Sequence, residues 1–149
     1  VGAIIPLRIP DIEHQNSNWD RAVGKYGEAA TAAAILLSQN QAMPPRLAWE
    51  SAVRDIFPNS KSSRMKGCPR DAFLALCGNG DIRNVASGSY TRSIKNKGYV
   101  ERALAAIRSD PNLALNQKAL WLVVMNGTKK MENSQMDVLS ALYLNGHIK

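Results

Sequence analysis

Acidic residues are nearly missing from one quarter of this chain. Between Lys61 and Lys97 only Asp71 and Asp81 stand against Lys61, Arg64, Lys66, Arg70, Arg83, Arg92, Lys95 and Lys97, so this stretch holds most of a formal net charge of +7. Cysteine is scarce as well: Cys68 and Cys77 alone among 149 residues argue against a disulfide framework, and no paired Cys/His spacing suggests structural zinc. No apolar run approaches the roughly 18 to 20 residues of a bilayer-spanning helix, so no membrane partner is expected. The opening from Val1 to Leu7 lacks the basic start, long apolar centre and small-residue cleavage site of a signal peptide. The expectation is a soluble, cytoplasmic protein with reduced thiols. Clean apolar/polar alternation is also absent, which removes the main signal for strands, and no period of roughly 20 to 50 residues supports a solenoid. There is no cofactor fingerprint and no metal-ligating cluster, and no cofactor is expected.

What the chain does have is helical periodicity. With 45% hydrophobic and 21% charged residues it is an ordinary globular sequence, long enough to bury one core and cramped for two. Residues 1–16 are broken by proline and charge and read as an extended arm, whose Ile4, Ile5, Leu7 and Ile9 suit docking on a groove. Residues 17–149 read as a single helical domain. Ser17 with Asp20 forms a capping box, and Trp19, Val23, Tyr26, Ala30, Ala33 and Leu37 recur at helical spacing, with Gly24 and Gly27 delaying regular helix to near Lys25. Pro44-Pro45 opens a second helix, with Trp49, Ala52, Val53 and Ile56 inward and Pro58 as its stop. A third opens at Cys68-Pro69, buries Phe73, Leu76 and Cys77 and ends in Gly78-Asn79-Gly80. Residues 81–90 suit a loop or small hairpin. Ser93 or Asn96 caps a fourth helix with Val100, Ala103, Leu104 and Ile107 inward, closed before Pro111. Two more follow, Asn116 to Met125 around Leu120, Val123 and Val124, and Asn133 to Leu144 around Met136, Leu139, Leu142 and Tyr143, the latter with Asn133 and Asp137 as its cap. The fold expected is an all-α compact bundle of five or six helices.

The strings Gly67-Cys68-Pro69-Arg70-Asp71-Ala72-Phe73-Leu74-Ala75-Leu76-Cys77 and Asn133-Ser134-Gln135-Met136-Asp137-Val138-Leu139, with Tyr90-Thr91 and Asn96-Lys97 between them, resemble a family of small, uncharacterised bacterial proteins. The resemblance runs from about Lys25 to Ile148. It implies that this stretch behaves as a unit and carries over no activity, because the family has none assigned.

The basic stretch points to a partner class, since a polyanion rewards a one-signed field through counterion release. Two segments are candidates for holding phosphate. Residues 60–67 place three hydroxyls with Lys61, Arg64 and Lys66 before the third helix, whose first turn offers unpaired N–H groups and Arg70. The plainer alternative is that Asp71 supplies the negative charge there. Residues 90–99 interleave Tyr90 and Tyr99 with Arg92, Lys95 and Lys97, a mix suited to backbone contacts, although Tyr99 beside an apolar stripe more often belongs to the core. Arg83 lies between the two segments. A compact helix-turn-helix needs a turn of roughly three or four residues, far shorter than residues 57–67.

The candidate site is therefore Lys61, Arg64, Lys66, Arg70, Arg83, Tyr90, Arg92, Lys95 and Lys97, binding DNA or RNA backbone with little base readout. An acidic protein partner meeting the same patch is the second reading. A cysteine enzyme is third. Cys68 at a helix entrance between Lys66 and Arg70 is a setting for a reactive thiol, but the histidines, His14 and His147, lie at the two ends of the chain. Pro10 to His14 groups two acids with a histidine and has no matching second half for a metal nuclease. Trp19, Trp49 and Trp121 sit on apolar stripes, where core packing is expected.

Overall fold

A computed structural model describes residues 23–149, and the expected arm, the Ser17/Asp20 cap and Trp19 lie outside the described residues. The first helix, α1, covers 23–39. It is followed by α2 (Pro45–Ile56), a single turn α3 (Lys61–Arg64), α4 (Gly67–Gly78), α5 (Ile94–Ser109), a 3₁₀ turn (Pro111–Leu115), α6 (Gln117–Met125) and α7 (Gln135–Leu144). The fold is all-α, a compact bundle with no strand among the described residues. None of these helices is long and apolar enough to cross a membrane.

Helix α1 is alanine-rich on its inner face, where Ala29, Ala30, Ala33, Ala34 and Leu37 are buried. Small side chains let it lie close on α7: a Cβ placed at Gly27 would meet Ala141 Cβ at 3.0 Å. Gly24 takes φ +71°, yet helix is already present at residue 23, earlier than the start near Lys25 expected from the two glycines. Helix α2 starts with Pro45 in its first turn and lays Trp49 on Phe73 of α4, ring centroids 5.4 Å apart.

Helix α4 is the axis of the bundle, packed against α2, α5 and α7. The pattern suggested one buried face with Phe73, Leu76 and Cys77, yet every residue from Ala72 to Cys77 is buried. A helix surrounded by partners has no solvent side to keep polar. Helix α6 departs the other way. Leu120, Trp121, Val124 and Met125 face inward while Val123, expected in the core, is 52% exposed. The cap of α7 also differs, because Ser134 takes φ +71° and the carboxylate of Glu132 accepts from the Met136 N–H at 3.0 Å, in place of Asn133 and Asp137.

The segment after α4 does not fold on itself as a hairpin. Ile82 pairs in an isolated antiparallel bridge with Ile148, flanked by Arg83 N–H to the His147 carbonyl and Lys149 N–H to the Asp81 carbonyl, both 2.9 Å.

Candidate functional site

Three helix amino ends meet at one place, and the path of the chain between α4 and α5 brings this about. Past the far end of α4, Asn79 Nδ2 donates to Glu101 Oε2 at 3.2 Å, while at its near end Arg70 and Asp71 face residues 89–93 across a groove. The two helices thus run parallel with their amino ends together, and residues 79–92 return along the bundle to make that possible. Glycine holds the return in place. Gly88 N–H donates to the Gly78 carbonyl at 3.1 Å, and a Cβ at Gly78 would come within 2.7 Å of the Gly88 carbonyl oxygen. The Tyr90 ring covers Gly88 and its hydroxyl donates to the Ala86 carbonyl at 2.8 Å.

The groove encloses about 460 Å³ and is lined by Arg46, Arg70, Asp71, Ser89, Tyr90, Thr91, Arg92 and Ser93. Arg46 stands in the first turn of α2, Arg70 near the start of α4, and Ser93 is the N-cap of α5, its Oγ accepting from the Asn96 N–H at 3.3 Å. Residues at or next to the amino ends of three helices therefore line one groove that holds three guanidinium groups. None of the three helices has an acid in its first turn, where one would ordinarily stand. Arg70 Nε donates to Asp71 Oδ1 at 3.2 Å, which fixes its orientation. Among the described residues, Arg46 and Arg92 are exposed and make no ion pair or hydrogen bond.

Of the residues singled out by sequence, the groove unites Arg70, Tyr90 and Arg92. Lys95 and Lys97 are exposed in the first turn of α5, just beyond it, and Lys61 is exposed on α3. Two arginines have structural duties instead. Arg64 Nη1 donates to the carbonyls of Phe57 and Pro58 at 2.8 and 3.0 Å, closing the carboxyl end of α2, and Arg83 Nε donates to the Gly146 carbonyl at 3.0 Å. Lys66 lies over the Tyr26 ring, 5.5 Å from its centroid. The hydroxyls of residues 60–63 bond one another: Ser60 Oγ accepts from the Ser63 N–H at 3.2 Å and lies 2.8 Å from Ser63 Oγ. Residues 60–67 therefore form a capped turn, and the short hydroxyl side chains on the groove are those of Ser89, Thr91 and Ser93. Tyr99 is core, packed edge-on against Trp121 at 5.2 Å. Sequence reasoning missed Arg46, which lies outside the basic stretch; its signal was a cation directly after the prolines that open α2.

Both cysteines are free thiols. Cys77 is fully buried, and burial pushes its thiol up to about 12. Cys68 is half-buried in the first turn of α4. His147 is tied to residue 83, past the opposite end of α4, so roughly 15 Å of helix separates it from Cys68 and it supplies no base there. A thiol reagent applied to the native protein should modify Cys68 and leave Cys77 untouched until denaturant is added; equal, rapid labelling of both would contradict this packing.

No curated protein and no solved structure matches the chain. Residues 23–149, the stretch the structure describes, match the model of DUF6979, a family of unknown function, and the chain belongs to that family.

Proposed function

We propose that this protein binds the phosphate backbone of nucleic acid, with little sequence readout, through the face made by the amino ends of α2, α4 and α5. The observation that carries the reading is the groove where Arg46, Arg70 and Arg92 converge from three separate elements, two of them without a partner among the described residues. Unpaired guanidiniums held near one another repel, and such an arrangement is favourable once a polyanion enters. Lys95 and Lys97, one turn along α5, extend the positive face for neighbouring phosphates. Few side chains suited to base edges stand with them, which favours positioning on backbone over reading of sequence. The reading places the protein in the cytoplasm, where nucleic acid and reduced thiols coexist.

Fluorescence anisotropy with labelled single- and double-stranded DNA and RNA tests the proposal. Binding that is similar across sequences and falls steeply with salt is expected; no binding to any of them at low salt would remove it. A second reading, an accessory subunit that docks an acidic protein, is favoured by the exposed Leu115, Leu122 and Val123 on and beside α6. Co-purification with a protein that persists after nuclease treatment would move this reading to first place.

A further inference from the structure

We propose that the groove of Arg46, Arg70 and Arg92 holds a phosphomonoester, the phosphorylated end of a single nucleic-acid strand; this rests on the nucleic-acid reading above and narrows it. Charge gives the first argument. Three guanidiniums against the one carboxylate of Asp71 leave two positive charges in the groove. A terminal phosphate carries about −1.5 to −2 and three acceptor oxygens, whereas each internal phosphate of a strand carries a single negative charge.

The hydrogen-bonding state of the lining gives the second. Thr91 Oγ1 already accepts from the Ser93 N–H at 3.1 Å, and Ser93 Oγ accepts from Asn96 Nδ2 at 2.9 Å, so both hydroxyls retain an O–H to donate. The Tyr90 hydroxyl, by contrast, is committed to the Ala86 carbonyl. Asp71 is the one acceptor-only side chain on the lining, and it already holds Arg70. Tyr90 and Asp71 aside, the lining side chains offer donors to a ligand that only accepts. The groove, at about 460 Å³, has the capacity of a small-ligand site and admits a terminal nucleotide in preference to a duplex. Lys95 and Lys97 just outside provide contacts for the next phosphates along a strand, which a phosphorylated peptide lacks.

Anisotropy of the full chain with one short single-stranded oligonucleotide at low salt, carrying phosphate or hydroxyl at its 5′ or its 3′ end, tests this. At least one phosphorylated form should bind about tenfold tighter than its hydroxyl counterpart. The Arg46→Ala/Arg92→Ala variant, checked for helicity by circular dichroism, should lose that preference. Lys95→Ala/Lys97→Ala should weaken both forms alike and keep the preference. Equal binding of phosphorylated and hydroxyl ends by the unaltered protein would overturn the strand-end inference while leaving backbone binding in place. Competition by a mononucleotide or inorganic phosphate as strong as by the phosphorylated strand would identify a free phosphomonoester as the ligand and overturn the strand. Stronger competition by a phosphoserine peptide would overturn it in favour of a protein partner. Absence of all oligonucleotide binding would remove both the inference and the reading beneath it.

Discussion

Replacing Arg46, Arg70 and Arg92 together by alanine should weaken nucleic-acid binding about 100-fold at low salt and flatten its salt dependence. Each guanidinium facing a phosphate makes a charge-assisted bond, and three such bonds at an open groove, at about 1 kcal/mol each, multiply to that factor. The log–log slope against salt should fall by roughly one for each phosphate that the variant no longer neutralises. Lys118→Ala on α6 serves as a control, exposed and outside the groove lining, and should change neither. Arg64 is unsuitable for this test, because its guanidinium closes α2 through the Phe57 and Pro58 carbonyls and its removal would disturb folding. A triple variant that binds as tightly as the unaltered protein would show the groove to be uninvolved.

The helices were legible in the sequence because their signals are local. Pro45 and Pro58 bracket α2, Ser93 caps α5, and Val100, Ala103, Leu104 and Ile107 repeat at helical spacing and are all buried. The errors arise where tertiary surroundings decide. Val123 sits among apolar neighbours on α6, and only the packing of that short helix against α5 and α7 leaves it outside. The cap of α7 depends on Glu132 reaching forward across a left-handed Ser134, a geometry that no standard capping string announces.

The candidate site was half legible for the same reason. The excess of basic residues between Lys61 and Lys97 is a compositional signal, but it does not separate Arg64 and Arg83, used as clips on backbone carbonyls, from Arg70 and Arg92, which share the groove. Convergence with Arg46 requires α4 and α5 to run parallel, and nothing local in residues 79–92 specifies that return. The helices α2, α4 and α5 begin with cations and no acid, but α3 and α6 do the same, so this departure from the dipole rule does not by itself single out the groove.

Asp137 is the clearest stability defect in the molecule, and Asp137→Asn should stabilise the protein at pH 8 by about 2 kcal/mol. The carboxyl is lodged between the first turn of α7 and the start of α1, close enough that a Cβ at Gly24 would lie 2.9 Å from its Oδ2. Burial, and secondly the charge of Glu132, raise it from 3.8 to about 7. Glu132 is kept in place by the Met136 N–H and so cannot easily withdraw. For an acid whose folded-state value lies above its unfolded one, the folded protein holds the proton more tightly. Stability is therefore undiminished below about pH 4, declines as pH rises through the interval up to about 7, and stays at its lower level above it. Full conversion of that difference would amount to about 4 kcal/mol, and partial solvent contact at this site roughly halves it. Asparagine keeps the shape and carries no charge, so the stabilisation by Asp137→Asn should vanish near pH 4 and grow toward pH 8. Urea unfolding of both proteins across that range measures the difference, and a ¹³C NMR titration of the carboxyl measures its cause. A variant equally stabilised, or equally destabilised, at both ends of the range would show that the ionised carboxylate costs nothing in the folded protein.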